Sequence, residues 1–304
     1  MLRVHLALLT VQILFGLWPV AGTAVFAHMS PAALVGMRLV LGAPLLALAA
    51  GLLFKRAPPP AELLRLAALA AVGISLNQLL FAEGLLRAGP INASLSILLV
   101  PAVSVAVATA LGMEKLEVRR VVGVAVALGG AAVFLEVENF DLSSQRVVGN
   151  VLLVTNASLY ALFLVLARPV IARLGSLTTI AWVFVFGAVE ALPFTYGPML
   201  RVPWLSLPGW VYGALLFILF GATLATYTLN AFALRRVESS VVAVYVYLQP
   251  VIASLAAYAL FRERPTPRAL VAGAVIVVGV TIAANVVPGL RGVWRRALAR
   301  RATP

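Results

Sequence analysis

LQPVIASLAAYALFRERPTPRALVAGAVIVVGV, residues 248–280, is an apolar stretch that is interrupted once, by the charged segment around Glu263, and then resumes. A second stretch with the same plan lies upstream, LVPAVSVAVATALGMEKLEVRRVVGVAVALGGA at residues 99–131, with its own interruption at Glu114. A shift of 149 residues places Glu114 on Glu263 and aligns residues 80–130 with their counterparts without a gap. The same shift also aligns Pro101 with Pro250, Arg119 with Arg268 and Gly130 with Gly279. The chain therefore carries an internal repeat.

The composition indicates a membrane protein. Of the 304 residues, 63% are hydrophobic and 11% are charged, and the mean hydropathy is +1.06. Soluble domains are about 45–50% apolar and about 25% charged, so this chain has more apolar surface than a water-soluble fold can bury. A membrane-spanning helix needs about 20 mainly apolar residues. The sequence predicts ten such helices, at about 6–27, 31–54, 63–86, 91–112, 117–136, 148–168, 177–197, 208–234, 239–261 and 267–288.

The repeat and the helix count together predict the architecture. Each half would hold five helices, and an odd number turns the second copy upside down relative to the first. Inverted repeats related by a pseudo-two-fold axis in the membrane plane are a transporter design, because two equivalent halves can form inward-open and outward-open states. We expect an all-α membrane protein with two inverted five-helix repeats, at residues 1–137 and 148–304, the second ending in a basic tail.

Lysine and arginine are unevenly divided between the two predicted membrane faces. With the N-terminus inside, sixteen of them lie on the inner side and six on the outer side. Positive residues concentrate in cytoplasmic loops. The distribution therefore predicts a multi-pass membrane protein with both termini in the cytoplasm.

Three stretches resemble one known family. LFGLWPVAGTAVFAHMSPAALVGMRLVLGAPLLAL (14–48), NQLLFAEGLLRAGPINASLSILLVPAVSVAVATALGMEKL (77–116) and VYVYLQPVIASLAAYALFRERPT (244–266) resemble helices of EamA-type permeases of the drug/metabolite transporter superfamily. The order and duplication of these motifs cover nearly the whole chain. The resemblance implies two inverted bundles around a central cavity, alternating access, and transport of small solutes, often as export. It also leads us to expect a location in the bacterial inner (plasma) membrane. Import is the alternative, since a fold does not fix direction.

Other classes of function find little support in the residue inventory. The chain has no cysteine and two histidines, and its one aspartate is Asp141 in a predicted loop. These residues offer no constellation for hydrolysis or metal binding, so we expect no cofactor, no metal and no enzyme activity. An intramembrane enzyme and a channel remain as alternatives. The expected partners are a small-molecule substrate and the lipid bilayer, with no nucleic acid, in a monomer or weak homodimer.

Polar residues inside apolar helices are the candidates for the substrate site, because a polar stripe that faces lipid is unfavourable. Thr223, Thr226, Tyr227 and Asn230 share one face of the eighth predicted helix, and they fit either a cavity wall or hydrogen bonds between helices. The full set of expected substrate-binding residues is Trp18, Arg38, Asn77, Gln78, Asn156, Tyr160, Thr223, Tyr227, Asn230, Tyr245 and Gln249. Arg38 is either a structural anchor that reaches backbone carbonyls or a contact for a substrate carboxylate.

Two carboxylates lie inside predicted helices and are candidates for proton coupling, Glu83 and Glu190. Arg87 follows Glu83 by four residues, which also allows a structural ion pair. Pro101 and Pro250 predict kinks that could act as hinges, since a proline inside a helix frees a carbonyl.

The repeated glutamates and the glycines of helices 5 and 10 have structural interpretations. Glu114 and Glu263 fit a helix-end ion pair or a gating charge. The glycines of the fifth and tenth helices predict close helix packing; they are Gly123, Gly129, Gly130, Gly273 and Gly279.

Overall fold

A computed structural model describes residues 2–52, 57–113, 117–135, 142–234, 236 and 245–284. These residues form helices and their connections, with no strand among them. The first half contains α1 (Leu2–Val25), α2 (Pro31–Ala49), α3 (Pro60–Ala70), α4 (Leu76–Ser96), α5 (Val100–Ala110) and α6 (Val118–Leu135). The second half contains α7 (Gln145–Leu174), α8 (Ser176–Leu200), α9 (Gly209–Leu216), α10 (Thr226–Leu234), α11 (Leu248–Phe261) and α12 (Pro267–Ala284).

Local sequence explains where several helices begin. The Ser30 side chain accepts a hydrogen bond from the Ala33 N–H at 3.3 Å, and Pro31 occupies the first turn of α2. A serine cap satisfies one of the free N–H groups at a helix start, and proline has no N–H to leave unpaired there. Ser144 caps α7 in the same way, through the N–H of Val147.

Helices α3 to α5 form one helical run, Pro60–Ala110, with three irregular points. The segment Ala71–Ser75 is π-helical, Gly89 has φ 83° and ψ 168°, and Ile97–Leu99 is a 3₁₀ turn. Only glycine adopts such a φ without strain. Pro90 follows Gly89 directly, at a position where a new helix can begin. At 1.5 Å per residue, this run of 51 residues would extend about 77 Å, more than twice the roughly 30 Å hydrocarbon core. Gly89 and Pro90 lie in the gap between the predicted helices 63–86 and 91–112, and the break at Gly89 therefore divides the run.

Seven helical stretches of the described chain are long and apolar enough to cross a membrane, with Pro60–Ala110 and Gly209–Ala233 counted as one each. Two shorter apolar helices, Leu248–Phe261 and Pro267–Ile282, complete the set. The predicted ninth helix, 239–261, lies partly outside the described residues. Large apolar side chains such as Phe194 and Leu255 are about two-thirds exposed, at 66% and 67%, as expected for side chains that face lipid.

Helices α6 and α12 pack against each other through glycines at equivalent positions. A Cβ added at Gly130 would lie 2.7 Å from Ile276 and 3.1 Å from the Ala272 carbonyl oxygen. A Cβ added at Gly279 would lie 2.6 Å from the Gly123 carbonyl oxygen and 2.8 Å from Ala127 Cα. The shift of 149 residues exchanges the two sets of contacts, so this interface is reciprocal.

Apolar side chains from both halves share one core. Leu39 and Leu46 of α2 and Ile74 of the first π-helical segment are packed in the same cluster as Phe163 of α7 and Phe184 of α8. All five side chains are at most 2% exposed. The core therefore joins the two halves.

Candidate functional site

Arg38 lies at the centre of a buried polar cluster. Its Nε donates to Thr223 Oγ1 at 2.8 Å, one terminal nitrogen donates to Gln78 Oε1 at 2.5 Å, and the other donates to the Ala222 carbonyl oxygen at 3.3 Å. The side chain is 2% exposed. Arg38 and Gln78 belong to the first half of the chain and Thr223 to the second. One guanidinium therefore links the two halves.

The π-helical segment Phe217–Ala225 places Thr223 in this cluster. Its hydroxyl donates to the Ile218 carbonyl oxygen, five residues earlier, at 2.8 Å and also accepts from Arg38. π-Helical turns inside α-helices leave backbone groups that need other partners and are frequent at functional sites. Thr223 is 14 residues past Gly209, about 21 Å along the helix, so the cluster lies deep in the helical layer.

One aromatic ring lies over the guanidinium, and others pack beside the cluster. Arg38 Cζ is 4.8 Å from the centroid of the Trp18 ring, and Trp18 stacks on Phe81 at 5.9 Å. A cation over an indole face is attracted by the ring quadrupole. Tyr227 makes edge contacts with Phe184 at 5.2 Å and with Phe15 at 6.4 Å. The structure thus brings together the predicted residues Trp18, Arg38, Gln78, Thr223 and Tyr227.

Other predicted site residues bond to neighbouring helices instead. Asn77 Nδ2 donates to the Asn156 carbonyl oxygen at 3.0 Å, and Asn156 Nδ2 donates to the Asn77 carbonyl oxygen at 2.8 Å. Gln249 Nε2 donates to Gln12 Oε1 at 2.6 Å. These amides join α4 to α7 and α1 to α11. The side chains of Asn77, Asn156 and Gln249 therefore form hydrogen bonds between helices.

The remaining predicted residues occupy three separate places. Tyr160 stacks on Phe163 with ring centroids 6.1 Å apart. The Tyr245 hydroxyl lies 2.8 Å from His5 Nδ1, at the N-terminal ends of α1 and α11. The Asn230 Oδ1 atom is buried and has no hydrogen-bond partner within the described part of the chain. It is an acceptor that a ligand could use.

The two candidate proton-coupling carboxylates have different surroundings. Glu83 Oε2 lies 3.2 Å from the Arg87 guanidinium, and both side chains are about one-third exposed, at 38% and 33%. Glu190 accepts a hydrogen bond from Ser75 Oγ at 2.5 Å. Ser75 closes the π-helical segment that precedes α4 and lies three residues before Gln78, so the two share a helical face. Glu83 therefore fits the ion-pair alternative, and Glu190 is held beside the central cluster.

The structure places the two predicted hinge prolines in the first turns of two helical segments, and Pro101 lies inside the longer helical run Pro60–Ala110. Pro101 is in the first turn of α5, directly after the 3₁₀ turn Ile97–Leu99. Pro250 is in the first turn of α11. A missing N–H is tolerated at such positions, and at Pro101 the backbone geometry changes immediately before the ring.

The repeated glutamate of the second half caps a helix of the first half. Glu263, between α11 and α12, lies against Gly89 and accepts a hydrogen bond from the Ile91 N–H. Burial raises the pKa of the Glu263 carboxyl above its ordinary value, and the Ile91 hydrogen bond opposes that rise. A cavity of about 170 Å³ beside it is lined by polar residues that include Asn92 and Thr266. Its counterpart Glu114 lies outside the described residues.

Sequence reasoning missed several partners in these clusters. Ser75 and the Ala222 carbonyl hold the charged groups, and Gln12 is the partner of Gln249. The position of Ser75, one turn before Gln78, was a signal that could have identified it. No group of three or more histidine, cysteine, aspartate or glutamate residues with the arrangement of a metal site occurs among the described residues.

Comparison with known proteins identifies the family of this chain. Residues 2–135 and 147–285 match the EamA-like transporter family. An "Uncharacterized transporter" of Archaeoglobus fulgidus is 28% identical over 259 residues, which cover 83% of this chain and 87% of the relative. A "Probable terminal-alkyne amino-acid exporter" of Streptantibioticus cattleyicolor is 26% identical over 253 residues, which cover 81% of each chain.

A solved crystal structure shares the fold. It is similar over 92% of this chain and 96% of the other, with a TM-score of 0.59 and 23% identity. The matches of both stretches to one family, together with helices that are long and apolar enough to span a bilayer, show that this chain is a multi-pass membrane protein that belongs to the EamA-like transporter family.

Proposed function

We propose that this protein is a secondary transporter that moves a small polar or amphipathic metabolite, such as an amino acid, across the bacterial inner membrane by alternating access. The observation that carries the proposal is the Arg38 cluster. It lies deep in the helical layer and is built from α2 and α4 of one half and the π-helical segment of the other. Movement of one half against the other would open and close such a cluster.

The proposal includes ten membrane-spanning helices in two inverted repeats, 1–137 and 148–304. Counting Pro60–Ala110 as two spans at Gly89 and adding the two shorter helices α11 and α12 gives ten. The reciprocal glycine contacts of α6 and α12 support a two-fold relation between the halves. The π-helical segments also support it, because the shift of 149 places Ala71–Ser75 within Phe217–Ala225.

We further propose export as the direction, with both termini in the cytoplasm. The support is the name of the Streptantibioticus cattleyicolor relative, which describes an amino-acid exporter. Import by the same mechanism is the alternative. The protein would need no cofactor or metal and would carry no enzyme activity. It would work as a monomer or weak homodimer.

Purified protein tests the proposal directly. A panel of amino acids and other small metabolites would be screened by thermal shift, and each stabilising compound would then be tested by counterflow in proteoliposomes. A transporter gives a transient, saturable accumulation of labelled solute that depends on unlabelled solute inside the vesicle. Steady conductance in single-channel recordings without counterflow would contradict the proposal.

Two tyrosine variants locate the site in the same assay. Tyr227→Ala removes a ring from the wall of the cluster and should abolish counterflow. The control is Tyr196→Ala, because Tyr196 is 56% exposed on α8 and would face lipid. Gln249→Ala tests the second predicted group. Unchanged solute binding in both Tyr227→Ala and Gln249→Ala would place the substrate elsewhere.

Proton coupling through a membrane carboxylate is a separate part of the proposal. Glu190 and Glu83 are its candidates, and Glu190 is favoured by its hydrogen bond from Ser75 beside the cluster. Glu190→Gln should remove the pH dependence of transport, whereas Glu83→Gln should retain it because Glu83 is paired with Arg87. If neither substitution changes the pH dependence, these carboxylates do not couple protons to transport.

A further inference from the structure

Arg38 is a buried cation whose bonding partners are all neutral. Its three hydrogen-bond acceptors are the Thr223 hydroxyl, the Gln78 amide oxygen and the Ala222 carbonyl oxygen. It is 2% exposed, and no acidic side chain of the described chain forms an ion pair with it. Arginine does not lose its proton in proteins, so among the described residues a full positive charge lies in the core without an acidic partner.

The acidic side chains of the described part of the chain are engaged elsewhere. Their partners are Arg173 for Glu62, Arg87 for Glu83, Arg119 for Glu117, Ser75 for Glu190 and the Ile91 N–H for Glu263. The other five acidic residues lie in the sequence between apolar segments, at positions 114, 136, 138, 141 and 238. Glu190 is held by Ser75 beside the cluster, and no acidic side chain among the described residues is paired with Arg38.

Such a charge is costly unless something compensates for it. Buried charges in proteins are normally paired, because neutral hydrogen-bond acceptors replace only part of the hydration that is lost. The Trp18 ring, 4.8 Å from the guanidinium carbon, provides some of the missing stabilisation. The three observed hydrogen bonds use three of the five N–H donors of the guanidinium. The remaining donors, at the two terminal nitrogens, suit the two oxygens of a carboxylate.

We infer that Arg38 is the carboxylate-binding residue of the substrate site, so that the transported solute itself supplies the missing counterion. The inference rests on the proposed transport function and names its substrate class. The solute would carry one carboxylate and an apolar or aromatic body, which the rings of Trp18, Tyr227 and Phe184 would contact. Solutes with the same body but an uncharged or cationic end would leave Arg38 unpaired and would be rejected.

Matched solutes test the inference without altering the protein. Alanine, leucine and phenylalanine would each be compared with their amide and with their decarboxylated amine, by thermal shift and by competition in counterflow. For each amino acid that is bound or transported, we expect the free acid to be the active compound. Its amide and its amine should compete at least about 10-fold less well, which is the loss expected for a charge-assisted hydrogen bond. Transport of an amine or amide as well as its acid would overturn the inference and leave the transport function intact. If no solute of any charge is transported, the proposed function fails and the inference fails with it.

An inorganic anion is the other possible counterion, and the same experiment distinguishes it. The measurements would be repeated with gluconate in place of chloride. If the free acid binds equally well or more tightly without chloride, the result supports a carboxylate site, because chloride and the carboxylate would compete for the Arg38 guanidinium. Binding that requires chloride would assign Arg38 to a chloride ion and would overturn the inference.

Variants of Arg38 give a second, independent readout. Arg38→Lys keeps the charge but loses the planar fork, and Arg38→Gln loses both. For the free acid, we expect about 10- to 100-fold weaker apparent affinity in Arg38→Gln and a smaller loss in Arg38→Lys. Arg201→Gln is the control, since Arg201 is exposed at the end of α8. A purely structural arginine predicts equal losses for acid, amide and amine, and that result would contradict the inference.

Discussion

Gly279→Ala should separate two helices that now contact through their backbones. The new Cβ would lie 2.6 Å from the Gly123 carbonyl oxygen and 2.8 Å from Ala127 Cα. Carbon atoms in contact prefer about 3.5–4.0 Å, so α12 would have to move by roughly an ångström away from α6. Both nearby atoms belong to the backbone, and therefore no side-chain rotation can relieve the overlap.

The expected cost follows from this geometry. Overpacking costs about 1–3 kcal/mol, and the higher helix propensity of alanine returns up to about 1 kcal/mol. We expect a net loss of about 1–2 kcal/mol of unfolding free energy. Gly129→Ala is the matched control, because a Cβ at Gly129 meets no atom within 4 Å. Gly130→Ala should lie between them, since its nearest contact is the Ile276 side chain at 2.7 Å.

Thermal unfolding of the three variants in detergent would measure the difference. We expect the midpoint of Gly279→Ala to be lower than that of Gly129→Ala by about 2–8 °C, since 1 kcal/mol shifts the midpoint by about 2–4 °C in domains of this size range. Equal midpoints for these two variants would refute the packing of α6 against α12.

Three further predictions test other contacts. Burial raises the Glu263 pKa above its ordinary value of 4.5, so the contribution of this carboxyl to stability should be present below pH 4.5 and be lost as the pH rises through the higher folded pKa. The unfolding midpoint should therefore fall less with rising pH in Glu263→Gln than in the unmodified protein, and an identical fall in both would contradict the burial of this carboxyl. Asn156→Ala and Asn77→Ala should each lower the unfolding free energy by about 0.5–1.5 kcal/mol, the value of one hydrogen bond, and an undiminished midpoint in the double variant would contradict their pairing. Glu62→Gln should cost about 1–2 kcal/mol, because its carboxylate accepts from an α7 arginine at 2.8 Å, and a neutral result would show that this ion pair is fully screened.

Features coded by nearby residues could be predicted from the sequence. Ser30 and Pro31 start α2, and Gly89 with Pro90 divides a long helical run, because capping and φ preference depend on one or two residues. The glycines of α6 and α12 were predicted to allow close packing, and Gly130 and Gly279 lie at the contact. Gly129 does not, since the repeat pattern does not fix the rotation of a helix about its axis.

Features that depend on packing between distant segments could not be predicted. The two π-helical segments have no local signature, because an extra residue in a helical turn is stabilised by its neighbours. Asn77 and Asn156 were expected to line a cavity, and the structure pairs them across α4 and α7. Glu263 was expected to belong to a helix-end ion pair or to act as a gating charge. In the structure it accepts a hydrogen bond from the Ile91 N–H, where the helix restarts after Gly89 in the other half of the chain.

The relative orientation of the two halves is the central claim, because alternating access depends on it. Met113 and Arg262 are equivalent under the shift of 149 residues, and both are exposed. The chain has no native cysteine, so Met113→Cys and Arg262→Cys each create a single site for a membrane-impermeant maleimide. In intact cells we predict labelling of the cysteine at 262 alone, with the one at 113 labelled only after the membrane is opened. Labelling of both sites from the same side would contradict the inverted repeat and the transport mechanism built on it.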